Sequence, residues 1–315
     1  GFLGTKFNEK VSTQQALKLS GLDYTVKSEP HSTIKGYEDF YFERENGRKD
    51  FFHSTSKSYK VIQNSDVANF IDDMTGEFPT SEWYSMGSVH NDTTVFMQKR
   101  VQELDLILDP NGANDVTEFY IMGRSSHNGR YSLLLGMLLN RLFCSNQIPS
   151  LSSNDNLVAK KHTDRVFTSV DTSINVFKMA QSNLKSISDV ANKLYSTKAT
   201  YQDTLKIFDT MNPLPELKYD KGIETPRSKG SITQWENKRD LLHDVWQGKT
   251  NRGKTMDNLE NNAWKVLQTL AELGDKFGGK GDTKAKMTSE LFNNDRQQKR
   301  NDWLTGTLNH FELSK

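Results

Sequence analysis

Apolar positions in the first half of the chain recur at every second residue; in the second half they recur at every third or fourth. The first period is that of strands buried on one face, the second that of amphipathic helices. Leu22, Tyr24 and Val26 alternate as a half-buried strand does, after a short helix over 11–21. That helix opens on a capping box of Ser12 and Gln15 and stops at Gly21. Two aromatic strands flank Asn46-Gly47, a hairpin signal. Tyr59, Val61 and Ile62 read as the end of a further strand. Asn64 or Ser65 then caps a helix that gathers Val67, Phe70, Ile71 and Met74 on one face, closed by Gly76 and Pro79. A second hairpin turns at Asn91-Asp92, and a third strand pair, 103–109 and 116–124, is joined by the breaker-rich 110–115. The stretch 116–147 holds the longest apolar run and reads as the central buried strand of the sheet, with polar turns at its ends.

From about residue 164 the period changes. Val170, Ile174, Phe177, Leu184, Ile187, Ala191 and Leu194 form the stripe of one long helix. The Pro-rich, aperiodic 212–231 reads as a linker or long loop, and three amphipathic helices follow. The expected fold is α+β: a mostly antiparallel sheet with short helices over 1–163, one long helix over 164–211, the linker over 212–231, and a helical region over 232–315.

Composition modifies this picture in three ways. Apolar residues make up 34% and charged residues 26% of the 315, which suits long exposed helices better than one compact globule. The formal charge of +1 is spread without a block of like charges, so any contact with an anion must come from a local patch. A single cysteine, Cys144, excludes a disulfide framework and cysteine-rich zinc sites and fits a reducing compartment. No run is long enough to span a bilayer, and the first ten residues lack the apolar core of a signal peptide. A soluble, cytoplasmic protein is expected, with no membrane partner and no cofactor.

Candidate chemistry is sparse. Gly274 to Lys280 has the glycine and lysine spacing of a P-loop, but Gly281 stands where a magnesium-binding hydroxyl belongs and the run follows a helix. It reads as an interhelical loop. Glu103, Asp105 and Asp109 could hold magnesium at a strand end; their alternation with leucines favours a solvated strand face. Glu216 lies in the Pro-rich loop without an acidic partner. His127 sits in a Ser-Ser-His-Asn-Gly turn, where polar side chains bond their own backbone, and His162 stands alone in sequence. Cys144, between Phe143 and Ser145, reads as a buried inert thiol rather than a nucleophile.

Four short motifs occur in order over roughly residues 10–165: Gly21-Leu22-Asp23-Tyr24; Tyr59 and Lys60 followed by Gln63-Asn64; Ser126-His127 with Gly129; and Arg141 with Cys144 and Asn146. In these the chain resembles phage- and plasmid-encoded proteins of the domain of unknown function 932. It departs from the family in the apolar Leu138-Leu139-Asn140 before Arg141 and in Pro149 after Asn146. The resemblance implies a protein of a mobile element acting in DNA metabolism, with Tyr59, Asn64, His127, Gly129, Arg141, Cys144 and Asn146 as motif residues. It implies no reaction.

The remaining signal is cationic. Lys57, Lys60, Lys99, Arg100, Arg124, Arg130 and Arg141 fall at strand ends or turns, with His127 among them, and Lys160-Lys161 follows the sheet region. Tyr37, Tyr41, Phe42, Tyr59 and Tyr131 are interleaved with them. Cations that neutralise phosphates beside aromatics that stack on bases suit single-stranded nucleic acid. The same pattern also describes solvated strand residues over an aromatic core. The leading expectation is a non-catalytic protein that binds or anneals single-stranded DNA in recombination, assembled as a homo-oligomer through its C-terminal helices. The order helix–strand–strand–strand at 11–55 is similar in outline to the core of single-strand annealing recombinases. The alternatives are an oligomerising structural protein that uses the long helix and the helices bearing Trp235, Trp246, Trp264 and Trp303, and a metal-dependent nuclease using the 103–109 acids.

Overall fold

The computed structural model describes residues 4–44, 46–108, 115–141, 157–160, 162, 184–249, 256, 259–277 and 295–313. The chain forms two compact units. The first takes Gly1–Asp105, Glu118–Leu139 and Asn154–Leu184; the second takes Leu106–Thr117, Asn140–Ser153 and Lys185–Lys315. The architecture is α+β, sheets first and helices after, and no described helix is long and apolar enough to cross a membrane.

In chain order the strands and helices of the first part are β1 (Thr5–Lys6), α1 (Thr13–Leu19), β2 (Val26–Pro30), β3 (Tyr37–Glu43), β4 (Lys49–Ser56) and α2 (Asn64–Met74). There follow β5 (Glu82–Val89), β6 (Thr94–Arg100), β7 (Leu106–Leu108), β8 (Asp115–Ser126), β9 (Leu133–Arg141) and β10 (Leu157–Lys160). The larger sheet has the order β1-β5-β6-β8-β9-β10, with β7 pairing β8; the smaller is β2-β3-β4. Local signals set most of these elements. Ser12 and Gln15 form the capping box of α1. Gly21, at φ 69°, ends it while Leu22 N–H donates to the Leu17 carbonyl at 2.8 Å. The β5–β6 hairpin turns through His90, Asn91 and Asp92, all at positive φ, and Gly47 at φ 78° serves the β3–β4 turn.

The 116–147 stretch supplies β8 and β9. β8 lies in the interior of the larger sheet, between β6 and β9, with Phe119, Tyr120 and Ile121 at most 1% exposed. α2 packs its Val67 and Ile71 against this strand at Gly123.

Two strand expectations shift. β2 starts at Val26, and residues 59–63 are irregular rather than extended. The reason lies in Gln63, which N-caps α2. Its side-chain amide accepts from Val26 N–H at 2.9 Å and donates to the Val26 carbonyl at 3.0 Å, standing where a neighbouring strand would pair.

The second unit contains all but the first residue of α3 (184–196), then α4 (Tyr201–Met211), the ribbon β11 (Tyr219–Asp220) and β12 (Ile223–Glu224), α5 (Pro226–Trp246), α6 (Ala263–Phe277) and α7 (Asp295–His310). α6 is its axis: residues 263–273 are all buried, and α4, α5 and α7 pack on it. Trp264 is 1% exposed and its indole N–H donates to Asp115 at 2.8 Å. Trp246 and Trp303 are also core, and Trp235 donates to the Asn212 carbonyl at 2.7 Å. These indoles hold the unit together internally rather than forming an exposed seam.

Of the expected 164–211 helix, residues 164–183 lie outside the described residues, and the rest is two helices. Thr200 and Asp203 make a reciprocal cap, with Thr200 N–H and hydroxyl both donating to Asp203 at 2.8 Å, which restarts the chain as α4. Nor is 212–231 a plain linker. Lys221 and Gly222, at φ 50° and 78°, turn the β11–β12 ribbon, and Pro226 takes the first position of α5. Gly274 to Phe277 are the last residues of α6, while 278–281 lie outside the described residues.

A Cβ on Gly123 would stand 2.6 Å from Ile71 Cδ1 and 3.0 Å from Val67 Cγ1. Gly123→Val should therefore destabilise the first unit by about 1–3 kcal/mol. Chemical denaturation checks this, and a variant as stable as the wild type would show that α2 does not seat on β8 there.

Candidate functional site

Asn64, in the first turn of α2 and 1% exposed, is the residue on which the motif segments meet. Its Nδ2 donates to the Leu22 carbonyl at 3.0 Å, and its Oδ1 lies 3.0 Å from His127 Nε2. An amide oxygen can only accept, so His127 carries its proton on Nε2. His127 Nδ1 is buried and finds no hydrogen-bond partner among the described residues. The ring is fully buried, 5.2 Å from the ring of Phe52 and 6.0 Å edge-on to Tyr24. Burial, with His162 and His53 adding like charge, pushes the His127 pKa down to about 3, so the ring is neutral. Burial pushes the Tyr24 phenol up to about 12; its hydroxyl donates to the Asp92 carbonyl at 3.2 Å.

Tyr59 joins the next segment. Its hydroxyl donates to the Ser126 carbonyl at 2.9 Å, and burial raises its pKa. Its ring stacks on His162 at 4.9 Å and 14°, and stands edge-on to His53 at 5.4 Å and to Phe40 at 5.4 Å. His162 Nδ1 lies 3.2 Å from the Lys60 carbonyl, and Phe40 stacks on His53 at 5.3 Å. Burial lowers the pKa of both His53 and His162.

Above this cluster runs the turn 127–131. The Ser126 hydroxyl donates to the Tyr131 carbonyl at 2.9 Å and accepts from Tyr131 N–H at 2.8 Å, while Asn128 Oδ1 accepts from Arg130 N–H at 3.1 Å. Gly129 has φ 68°, the left-handed region, which fixes its residue type. Two guanidiniums meet one ring: Arg124, near the end of β8, lies 4.9 Å and Arg130, in the turn, 5.4 Å from the Tyr131 centroid. Arg130 is exposed and Arg124 half-buried. Lys57 and Lys60 are exposed on the loop that Tyr59 ties to this turn.

The other cations of the expected surface lie elsewhere. Lys99 is 4% exposed, ion-paired with Asp72 and 5.3 Å from the Trp83 ring. Arg100 is held by Asp105 at 2.8 Å and Glu118 at 2.9 Å. Both charges are thus matched inside the fold. Likewise His127 is not a surface group. Tyr41 and Phe42 are buried, and only Tyr37 of that pair of strands' expected platform is exposed. Arg141 and Lys160 are placed as backbone in β9 and β10, and Lys161, Cys144, Asn146 and Asp109 lie outside the described residues.

The two described acids of the 103–109 stretch are occupied. Glu103 accepts from Thr80 N–H and hydroxyl, and Asp105 accepts from Phe119 N–H at 2.9 Å as well as from Arg100. No group of three or more His, Cys, Asp or Glu among the described residues is arranged to hold a metal ion. Residues that sequence reasoning left out are Gln63 as a bridge, His53 and Phe52 as walls of the histidine cluster, and the exposed Phe51. The run of rings in β4 was their one signal, but Phe51, Phe52 and His53 are consecutive and a register shift opposite Phe40 and Tyr41 hides which face each residue takes.

A family model described as Domain of unknown function (DUF932) matches residues 52–304. No curated protein and no solved structure matches the chain.

Neutral buried histidines make stability depend on pH. Unfolded His127 binds a proton below about 6.5, whereas the folded ring resists it down to about 3, so this stability is full above pH 6.5 and is lost as pH falls. By pH 5 the loss from His127 alone is roughly 2 kcal/mol. Urea denaturation at pH 7 and pH 5 should show at least that loss, and His127→Gln should show a pH dependence smaller by the same amount. Equal dependence in both proteins would contradict a buried neutral ring.

Proposed function

The chain belongs to the family described as Domain of unknown function (DUF932), and from that premise we propose that its first unit is a non-catalytic binding module for single-stranded nucleic acid, acting in the DNA metabolism of a phage or plasmid. One observation carries the reading: Arg124 and Arg130 converge on the Tyr131 ring, beside a loop bearing Lys57 and Lys60 that Tyr59 bonds to the same turn.

Guanidiniums are planar, keep their charge, and pair with phosphate through two parallel N–H donors. Two of them against one tyrosine form a flat cationic surface on which a base can stack while its phosphates meet the lysines. A duplex keeps its bases stacked on one another; a single strand offers them. The framework beneath is stiff, because Asn64, Tyr59 and Ser126 each bond across segments distant in sequence. A surface held this way loses little conformational freedom when it binds. The occupied state of Glu103 and Asp105 argues for binding over metal-assisted cleavage.

Fluorescence anisotropy with a labelled oligothymidylate across a salt series tests this. Wild-type affinity should fall with salt at a slope of about 0.7 per phosphate contact, and Arg130→Ala and Lys57→Ala should each flatten the slope by about that much. No binding at low salt, or variants with an unchanged slope, would overturn the reading.

A further inference from the structure

In the second unit a short ribbon carries large apolar side chains into solvent. Tyr219 is 62% and Ile223 74% exposed, and Leu214 and Leu217 just before them are 57% and 42% exposed. In the β11–β12 register Tyr219 faces Glu224 and Asp220 faces Ile223. Side chains alternate along a strand, so Tyr219 and Ile223 stand on opposite faces of the ribbon. Each face therefore shows an unburied large side chain. A two-stranded hairpin is marginal in water without cover, yet this one is built with care. Lys221 and Gly222 take the positive φ of a tight turn, and Thr225 N–H closes the base on the Lys218 carbonyl at 2.8 Å.

The same unit contains a groove of about 620 Å3 where α4 meets α7. Gly306 of α7 lies against α4, where a Cβ would stand 2.4 Å from Met211 Sδ. Ile207 and Met211 give the groove an apolar floor, and Asp302, Thr305 and Asn309 give it polar walls. The ribbon and the groove match in charge as well as in apolarity: exposed Lys221 forms the ribbon's turn, and exposed Asp302 stands on the groove wall.

We propose that the occupant of this groove is the β11–β12 ribbon of a second copy of the chain. Ile223, the more exposed of the two, enters against Ile207 and Met211, and Lys221 meets Asp302. Such a contact is head-to-tail, using two different patches, so it propagates into a ring or a helical filament rather than closing as a two-fold dimer. The inference stands apart from the nucleic-acid reading, since neither patch includes a residue of the first unit.

Light scattering on the full chain after size exclusion, over a range of concentrations, reads the assembly directly. The wild type should exceed the monomer mass increasingly with concentration. Ile223→Asp spoils the ribbon and Thr305→Trp fills the groove; both positions are exposed, so both variants should keep the wild-type far-UV circular dichroism and remain monomeric. Mixed together, they retain one intact groove and one intact ribbon between them, and should form a dimer that grows no further. A wild type that stays monomeric at the highest concentration, an Ile223→Asp protein that assembles like the wild type, or a mixture that yields no dimer would each overturn the proposal. Oligothymidylate binding by the Ile223→Asp monomer, measured alongside, separates failure of the assembly from failure of the nucleic-acid reading.

Discussion

The bond from Asn64 to His127 is the constraint on which the first unit depends. A carboxamide with almost no exposure must satisfy both its ends, and it does so with a carbonyl from the segment after α1 and a ring nitrogen from the turn after β8. Because the amide oxygen accepts, the imidazole must donate through Nε2, which sets its tautomer and its orientation. A buried polar pair of this kind is costly to break, since each group left behind keeps its desolvation penalty without its bond. That cost ties three segments far apart in sequence to a single arrangement.

Consequences spread outward from this bond. With His127 neutral and walled by Phe52 and Tyr24, the interior of the cluster is free of charge, and the charges of the region lie on the turn and loop above it. Tyr59 transmits the order to the surface: its hydroxyl holds the Ser126 carbonyl, and Ser126 in turn closes the loop that presents Arg130 and Tyr131. The surface cations therefore owe their placement to uncharged groups beneath them. Lys99 and Arg100 show the opposite use of charge. Each is matched by carboxylates within the fold, so their contribution is to join α2 to β6 and to tie the end of β6 to Asp105, just before β7, and to Glu118 of β8.

The second unit rests on a different principle. Residues 263–273 of α6 are buried all round, the condition of a helix surrounded by others rather than lying on a surface. Within it the Thr269 hydroxyl donates to the Lys265 carbonyl, while the Trp264 indole N–H reaches Asp115, 149 residues away in sequence. The unit is well filled at its centre, which makes the exposed apolar ribbon stand out: the residues that could have been buried internally are already there, and these are not.

What the sequence determined by itself was whatever is decided within a few residues. The Ser12–Gln15 box, the Gly21 stop and the turns at Asn46-Gly47 and Asn91-Asp92 need only local dihedrals and local hydrogen bonds, so their signals survive in the residue types. The change of period near the middle likewise announced sheets before helices, and the ordered motifs announced the family. The candidate site was half legible: Leu22, Tyr59, Asn64, Ser126, His127 and Gly129 all stood in the quoted motifs, while the bonds that join those motifs and the walls His53 and Phe52 did not show. Only the tertiary structure decided that Lys99 meets Asp72, that Tyr41 and Phe42 turn inward, and that Asn64 reaches His127. A cation's sequence neighbours say nothing about a carboxylate 27 residues away, and a register shift in one strand reassigns the faces of all residues beyond it. Burial and charge pairing are properties of contacts between distant segments, and they exist only once the chain has closed on itself.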